Sequence, residues 1–522
     1  MEACYTWAVL YCVITSIASI DADNTLSEGN LSSNKLLDKV PWQSKNNSNM
    51  RVDYGPWTST PLDDYVRAPD QHYEFIFLKK FRGPNCTFHV LNMTSLKWLT
   101  EEFSDKPIWW HYLTIIVPDK VLVSDTAFVW VDQGSNHDDI PGLSDPFLAL
   151  ISAISVGANT VTATVKQIPN QPVVFTKDKT RKSRHEDALI AWPWLKFLEN
   201  GSNPEILPRL PMTKAVVRAM DTVSTYVRSL DKEYDICKFV IGGASKRGWT
   251  TWMTAAVDKR VVAMVPVVMD LLNMRKSLHH HYRALGGWSF AFKDYIAMNV
   301  TEFLDSPNMD KMAAIIDPLT YSSRYDMPKL VVSATGDEFF MPDDSHYYYD
   351  VLRGPTYLKI TPNAEHTLIG HIGDAILAIK SFYMSVTHNS TLPTFSWTRS
   401  QTDTGGRISV HTSIEPKSVT VFHAITLPTG RRDFRLFVSG PTPGSKIPQP
   451  VLWFKKKAKQ ISKVHYVAEV DRPIKGWAGF FVQLQFHGVD NTTLEFTTEL
   501  CIVPDIFVFP ECHGTGCLGK LV

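Results

Sequence analysis

Charge of one sign, abundant cysteine and long apolar runs are all missing from this chain. Acidic and basic residues are equal at 53 each. A nucleic-acid binder needs a surplus of Lys and Arg to displace counterions, so that class is excluded. Seven cysteines in 522 residues are too few for a disulfide-built scaffold. Their number is also odd. After residue 20 no stretch approaches the ~20 consecutive apolar residues that a membrane helix needs, so no membrane span is expected. What is present suits a globular protein: 44% hydrophobic and 20% charged residues, outside the range of disordered chains. At ~150 residues per domain the length allows about three units, or one large α/β domain with an appendage.

The apolar run at the start, Tyr5 to Ile20, is 16 residues long, and ends in polar Asp21 and Asp23. Ser16, Ala18 and Ala22 are small residues suited to cleavage, so residues 1–22 read as a secretory signal peptide. The run departs from the usual pattern in carrying Glu2 and no Lys or Arg before it. Residues 23–55 are rich in Asn, Ser, Asp and Lys without apolar periodicity and read as a flexible lead-in. Glycosylation sequons at Asn30, Asn46, Asn85, Asn92, Asn200, Asn299, Asn389 and Asn491 agree with a secreted, extracellular glycoprotein.

From residue 56 to 389 β-rich runs alternate with helix-like stretches. Tyr112–Val117, Ala127–Val131, Thr160–Val165, Lys238–Ile241, Val261–Val268, Lys329–Ala334 and Tyr357–Thr361 are Val- and Ile-rich, as in strands buried on both faces. Glu186–Leu198, Thr213–Leu230, Lys246–Val257 and Ile372–Val386 are the helical patterns between them. The fold class expected is α/β, a doubly wound, mostly parallel sheet. The alternation lapses over about 270–325, an aromatic-rich insertion suited to a lid. Over 390–508 short alternating runs, among them Phe434–Val438, predict a C-terminal antiparallel β-sandwich. Residues 509–522 form a tail holding Cys512 and Cys517, expected to pair as a disulfide.

The strongest chemical signal is Gly242-Gly243-Ala244-Ser245 between a β-rich run and a helix. A sharp strand–turn–helix lifts a serine above the sheet edge, and the helix start supplies amide N–H groups to an oxyanion. The usual spacing is Gly-x-Ser-x-Gly; here Arg247 takes the second glycine's position and Gly248 follows. A serine that only caps the helix is the alternative. Asp337 follows one later strand and His366 another, 29 residues further on. The order Ser, Asp, His is that of α/β-hydrolases. A serine hydroxyl is a weak nucleophile until a histidine takes its proton and a carboxylate orients that histidine. The expected catalytic set is therefore Ser245, Asp337 and His366, with Asp270 as an alternative acid. Lys246 and one of Gly134 or Ser135 are the expected oxyanion-hole donors. His279, His280 and His281 do not share one face of an element and suggest no metal site. No cofactor is called for.

The run Gly243-Ala244-Ser245-Lys246-Arg247-Gly248-Trp249, followed by Trp252, Ala255, Ala256 and Asp258, resembles the PhoPQ-activated pathogenicity-related family. So do Gln167 to Pro172, Glu186 to Ala191, Ala334 to Phe340, Asn363 to His366, and Gly476-Trp477 with Phe480 to Val482. The family pattern itself carries Lys-Arg after the serine. The resemblance implies an α/β-hydrolase core, secretion, and a serine hydrolase triad on Ser245, Asp337 and His366. It also implies kinship with slime-mould autocrine repressors of proliferation, with bacterial virulence proteins, and with a peptidase-like activity. The partners expected are a peptide or small ester substrate and a cell-surface receptor. The alternative is a non-catalytic signalling ligand built on the hydrolase scaffold. Arg247 is expected either beneath the turn, paired with a carboxylate such as Asp187, or in the pocket. Cys237 is expected to be a buried thiol, and Cys86 and Cys501 are candidates to pair.

Overall fold

The computed structural model describes residues 58–442 and 444–522. The signal-peptide and lead-in readings, with Asn30 and Asn46, lie outside the described residues. Nine strands form the core sheet: β1 (Glu74–Gly83), β2 (Cys86–Lys97), β3 (Ile108–Pro118), β4 (Val123–Val131), β5 (Thr160–Val165), β6 (Lys238–Ala244), β7 (Val261–Val267), β8 (Lys329–Ala334) and β9 (Thr356–Thr361). Their spatial order is β1-β2-β3-β5-β4-β6-β7-β8-β9. β1, β2 and β3 pair antiparallel, β3 meets β5 antiparallel, and from β5 to β9 every neighbour is parallel. This is an α/β-hydrolase core.

Side-chain alternation explains why the middle strands are apolar throughout. On β4, Ala127, Val129 and Val131 enter one core, and Phe128 and Trp130 the opposite one. On β6, Phe239 and Ile241 point to the first core and Val240 to the second. Both faces are covered, as a parallel sheet requires. α1 (Pro61–Arg67), α2 (Pro146–Ala158), α3 (Glu186–Asn200), α4 (Arg209–Leu230) and α5 (Lys246–Val257) precede the insertion, and α9 (Ile372–Thr387) follows it. α2 and α9 cover one face; α4 and α5 cover the other. Every residue of α5 is buried.

β5 lies on one side of β4 and β6 on the other. The chain leaves β4 toward β5 and leaves β6 toward β7, so the two loops diverge. Such a reversal opens a crevice at the C-terminal strand ends, the usual ligand position in this kind of sheet. Gly134 follows β4, and Ser245 follows β6.

The insertion after β7 is helical: α6 (Met274–Leu285), α7 (Lys293–Ala297) and α8 (Pro307–Ile316). Asp317 closes its base by accepting from the N–H groups of Asn273 at 3.1 Å and Met274 at 2.7 Å. The tail is docked against it. The Cys512–Cys517 disulfide is formed, Trp288 Nε1 donates to the Cys517 carbonyl at 2.7 Å, and Arg435 donates to the Val522 carbonyl at 3.0 Å.

The C-terminal antiparallel sheets are present, but the first of them continues the core sheet. Thr493–Thr497 pairs antiparallel with β9 through Leu358 and Thr497, and Ala478–His487, Ser418–Ile425 and Phe454–Lys457 follow outward. A second sheet, ordered Phe395–Gln401, Gly405–Thr412, His465–Asp471 and Lys459–Ser462, shares a core with the first through Ile408, Val410, Phe480 and Val482. Three expectations are corrected. Phe434–Val438 is not a strand, since only Phe437–Ser439 is extended and the buried Asp433–Arg435 ion pair precedes it. Cys237 is exposed, because it stands just outside β6 rather than within it. Cys86 and Cys501 are both buried and both free, held in the core as apolar side chains instead of a bridge.

Candidate active site

At the end of β6 the backbone turns so sharply that Ser245 adopts φ 56° and ψ −126°. That conformation is costly for a residue with a Cβ, and such strain clusters at functional turns. It is held by the Ser245 N–H, which donates to the Val267 carbonyl of β7 at 2.8 Å. Two glycines allow the turn to close. A Cβ on Gly243 would stand 2.8 Å from the Arg247 carbonyl oxygen, and one on Gly248 would stand 2.9 Å from Met269 Cβ. Gly248 therefore meets the close approach that the usual motif meets one residue earlier, which leaves position 247 open to a large side chain.

His366 and Asp337 come from the loops after β9 and β8, and the three side chains form one hydrogen-bonded line. His366 Nε2 lies 2.8 Å from Ser245 Oγ, and His366 Nδ1 lies 2.9 and 2.8 Å from the two Asp337 oxygens. The Asp337 side chain is 2% exposed, and it also accepts from the N–H groups of Phe339 and Phe340. With Nδ1 donating to Asp337, the lone pair on Nε2 faces the serine hydroxyl. Burial alone would lower the His366 pKa, but the charge and hydrogen bond of Asp337, with Glu338 behind it, raise it above the ordinary value. Phe339 and Phe340 pack on the imidazole, with centroids 4.7 and 5.7 Å away.

Asp270 does not take the acid's place. Its carboxyl accepts from the Tyr348 hydroxyl at 3.1 Å, and burial, with the Asp344 and Asp337 charges, pushes its pKa to about 8. Glu338 is likewise pushed up, by burial and then Asp337, to about 7, while it accepts from the His366 backbone N–H at 3.0 Å. Lys246 begins α5, so its N–H points outward from the helix start beside Ser245. Ser135's N–H donates to Asp138 Oδ2 at 2.7 Å and Asn136's to the Gln171 carbonyl at 2.5 Å, so both are already engaged.

Behind the turn lies an ion cluster that reasoning from the sequence only half anticipated. Arg247 is 5% exposed and sits beneath the turn; its partner is Glu186 rather than Asp187. Its two terminal nitrogens meet the two Glu186 oxygens at 2.8 and 2.6 Å, and its Nε donates to the Ile168 carbonyl. Gln171 clamps Glu186 from the other side, donating to Oε1 at 2.6 Å and accepting from its backbone N–H at 2.8 Å. Lys246 Nζ bridges Glu186 at 2.9 Å and Asp187 at 3.3 Å. The side chain that follows Ser245 is thus tied down by both carboxylates. Replacing Arg247 by alanine removes the two-pronged contact, leaves Glu186 to Lys246 and Gln171 alone, and is expected to destabilise the fold by about 3 kcal/mol. Arg247→Lys should recover only part, because an ammonium cannot form the two-pronged contact. Urea unfolding of the three proteins measures both.

The three consecutive histidines part company. His279 pairs with Asp305 at 2.9 Å, His280 with Asp344 at 2.6 Å, and His281 accepts from the Ser289 N–H at 3.1 Å. Among the described sequons, Asn85, Asn200, Asn299, Asn389 and Asn491 are exposed, and Asn92, inside β2, is half-buried.

A cavity of about 50 Å³ opens beside Ser245 and Lys246. Its walls are largely apolar, and nearly half of them come from the insertion, among them Leu278, Phe292, Tyr295, Val300, Leu304 and Met309. Neither Gly134 nor Ser135 lines it. These wall residues had no motif, only bulk and a position in the segment where the alternation lapsed.

A family profile described as PhoPQ-activated pathogenicity-related protein matches residues 62–435. The chain is 39% identical over 474 residues to autocrine proliferation repressor protein A of Dictyostelium discoideum, which covers 88% of this chain and 94% of that one. Among solved structures, it resembles an acetyl xylan esterase from Paenibacillus sp. R4, with TM-score 0.45 and 14% identity, covering 63% of this chain and 97% of that one. It also resembles acetyl xylan esterase 1 from Thermoanaerobacterium sp. JW/SL YS485, with TM-score 0.42 and 13% identity, covering 62% and 91%.

Proposed function

The chain belongs to the PhoPQ-activated pathogenicity-related protein family, and from that premise and the site's geometry we propose that it is a secreted serine hydrolase. The observation that carries the reading is the unbroken line from Ser245 Oγ through His366 to Asp337. Ser245 Oγ attacks the carbonyl carbon of an ester or peptide bond while His366 Nε2 takes its proton. The oxyanion gathers at the N–H of Lys246, with Gly134 as second donor. Asp337 keeps the imidazole in the needed tautomer and stabilises it once charged. The tetrahedral species collapses, His366 returns the proton to the leaving alcohol or amine, and Ser245 is left acylated. Water, activated by the same imidazole, then releases the acid. The cavity beside Ser245 receives the acyl side of the substrate.

The experiment is labelling with an uncharged fluorophosphonate. Wild type should be modified at Ser245, and modification should rise with pH, because His366 accepts the proton only when neutral. Its raised pKa places the midpoint of that rise above the ordinary imidazole value of about 6.5. A folded protein that never labels would sink the reading.

The name of the Dictyostelium relative, a repressor of proliferation, supports a second reading, in which the secreted, glycosylated protein restrains proliferation as a ligand for a cell-surface receptor. The two separate cleanly: Ser245→Ala abolishes a catalytic signal and leaves a purely ligand-borne one unchanged.

A further inference from the structure

The cavity beside Ser245 holds a cation that lacks an anion. Arg209, the first residue of α4, is 1% exposed and lines that cavity. Its guanidinium carbon lies 4.3 Å from the Trp249 ring centroid. One terminal nitrogen donates to Met212 Sδ at 3.4 Å, and the buried Nε has no partner. Among the described residues no carboxylate stands within ion-pair distance of it. The two nearby acids are taken. Asp187 accepts from the Tyr295 hydroxyl at 3.1 Å and pairs with Lys246 at 3.3 Å. Glu186 is held by Arg247, Lys246 and Gln171. Three buried cations therefore face two carboxylates. A guanidinium offers five N–H donors in a fork shaped for a carboxylate, and a buried charge without a counter-ion is destabilising. Burial lowers the Arg209 pKa only to about 10, so the group stays charged near neutrality.

We propose that Arg209 receives a carboxylate carried on the acyl side of the substrate, so that the preferred substrates are esters or amides of short acyl groups ending in an acid. An aspartyl or glutamyl side chain at the scissile carbonyl meets the same description. The cavity of about 50 Å³ limits the chain to a few heavy atoms. Leu278, Val300 and Met309 enclose its methylenes, and Ser245 and Arg209 line the same space. The inference rests on the hydrolase reading of Ser245 and adds the substrate's charge to it.

The test compares two 4-methylumbelliferyl esters with five-carbon acyl chains, the neutral valerate and the anionic hemiglutarate. Wild type should hydrolyse the hemiglutarate with a kcat/KM at least about tenfold higher, the scale expected for a charge-assisted hydrogen bond. Arg209→Met should reverse the order by lowering the hemiglutarate value far more than the valerate value, and Arg209→Lys should recover it in part. Equal rates, or preference for valerate, in a wild type whose Ser245 labels with fluorophosphonate overturns the anion site and leaves the hydrolase intact. If Arg209→Met does not fold, the wild-type ratio alone decides. If Ser245 neither labels nor turns over either ester, the hydrolase reading fails. Glutarate then decides the site: it should raise the melting temperature of wild type and of Ser245→Ala, and the absence of any rise overturns the proposal.

Discussion

Ser245→Ala is expected to lower ester or peptide turnover by about 10⁵- to 10⁶-fold, to the level of the uncatalysed reaction held in a binding site. The substitution keeps the Cβ, so the strained φ of 56° is neither relieved nor worsened. The Ser245 N–H bond to Val267 is a backbone contact and survives. Only Oγ and its 2.8 Å contact with His366 are lost. The melting temperature should therefore move by no more than a few degrees, the scale of about 1 kcal/mol. Turnover measured beside a melting curve checks the pair of statements. A stably folded Ser245→Ala that turns over at the wild-type rate would place the chemistry elsewhere.

Asp337→Asn is expected to cost about 10⁴-fold in kcat, because an amide that donates to Nδ1 forces the proton onto Nε2 and removes the base. The sign of the pH effect is separate evidence. Asp337 supplies the charge that raises His366's pKa against the lowering effect of burial. Without it, the residual activity should rise with pH at a lower midpoint than in wild type. Asp270→Asn is the control. Asp270 is the acceptor for the Tyr348 hydroxyl, and its pKa of about 8 keeps it largely protonated at neutral pH. That variant should keep kcat within about tenfold, since it removes no charge the imidazole depends on. A pH–rate profile of the three proteins tests the assignment; loss on Asp270→Asn equal to that on Asp337→Asn would reverse it.

How much was legible in the sequence varies with the physics of each element. Thr160–Val165, Lys329–Ala334 and Lys246–Val257 were readable to the residue, since β-branched runs mark the two buried strands and the apolar residues of the third recur at helical spacing. The β1–β2 hairpin was not. β1 is exposed along much of its length, and bulges at Phe77/Lys79 and Thr94/Leu96 break the two-residue alternation that would have signalled it. The three residues of the hydrogen-bonded line were legible because each follows a strand, in the order such sheets use. Arg247's partner was not, because Glu186 and Asp187 are adjacent in sequence and only the entry of α3 decides which one meets the guanidinium.

The sequence by itself determined a doubly wound sheet, a serine on a strand–turn–helix and an acid and a histidine on later loops, because these depend on local periodicity and chain order. It also determined that no surplus charge exists over the whole chain. The tertiary structure alone decided where charge fails to balance locally. Equal totals of 53 and 53 hide three cations and two carboxylates gathered behind Ser245, since pairing depends on which side chains share a buried space. It decided the size of the cavity as well, because nearly half of its walls come from an insertion without periodicity. The thiols follow the same rule: Cys512 and Cys517 are close in sequence and pair, whereas Cys86 and Cys501 share a core without meeting.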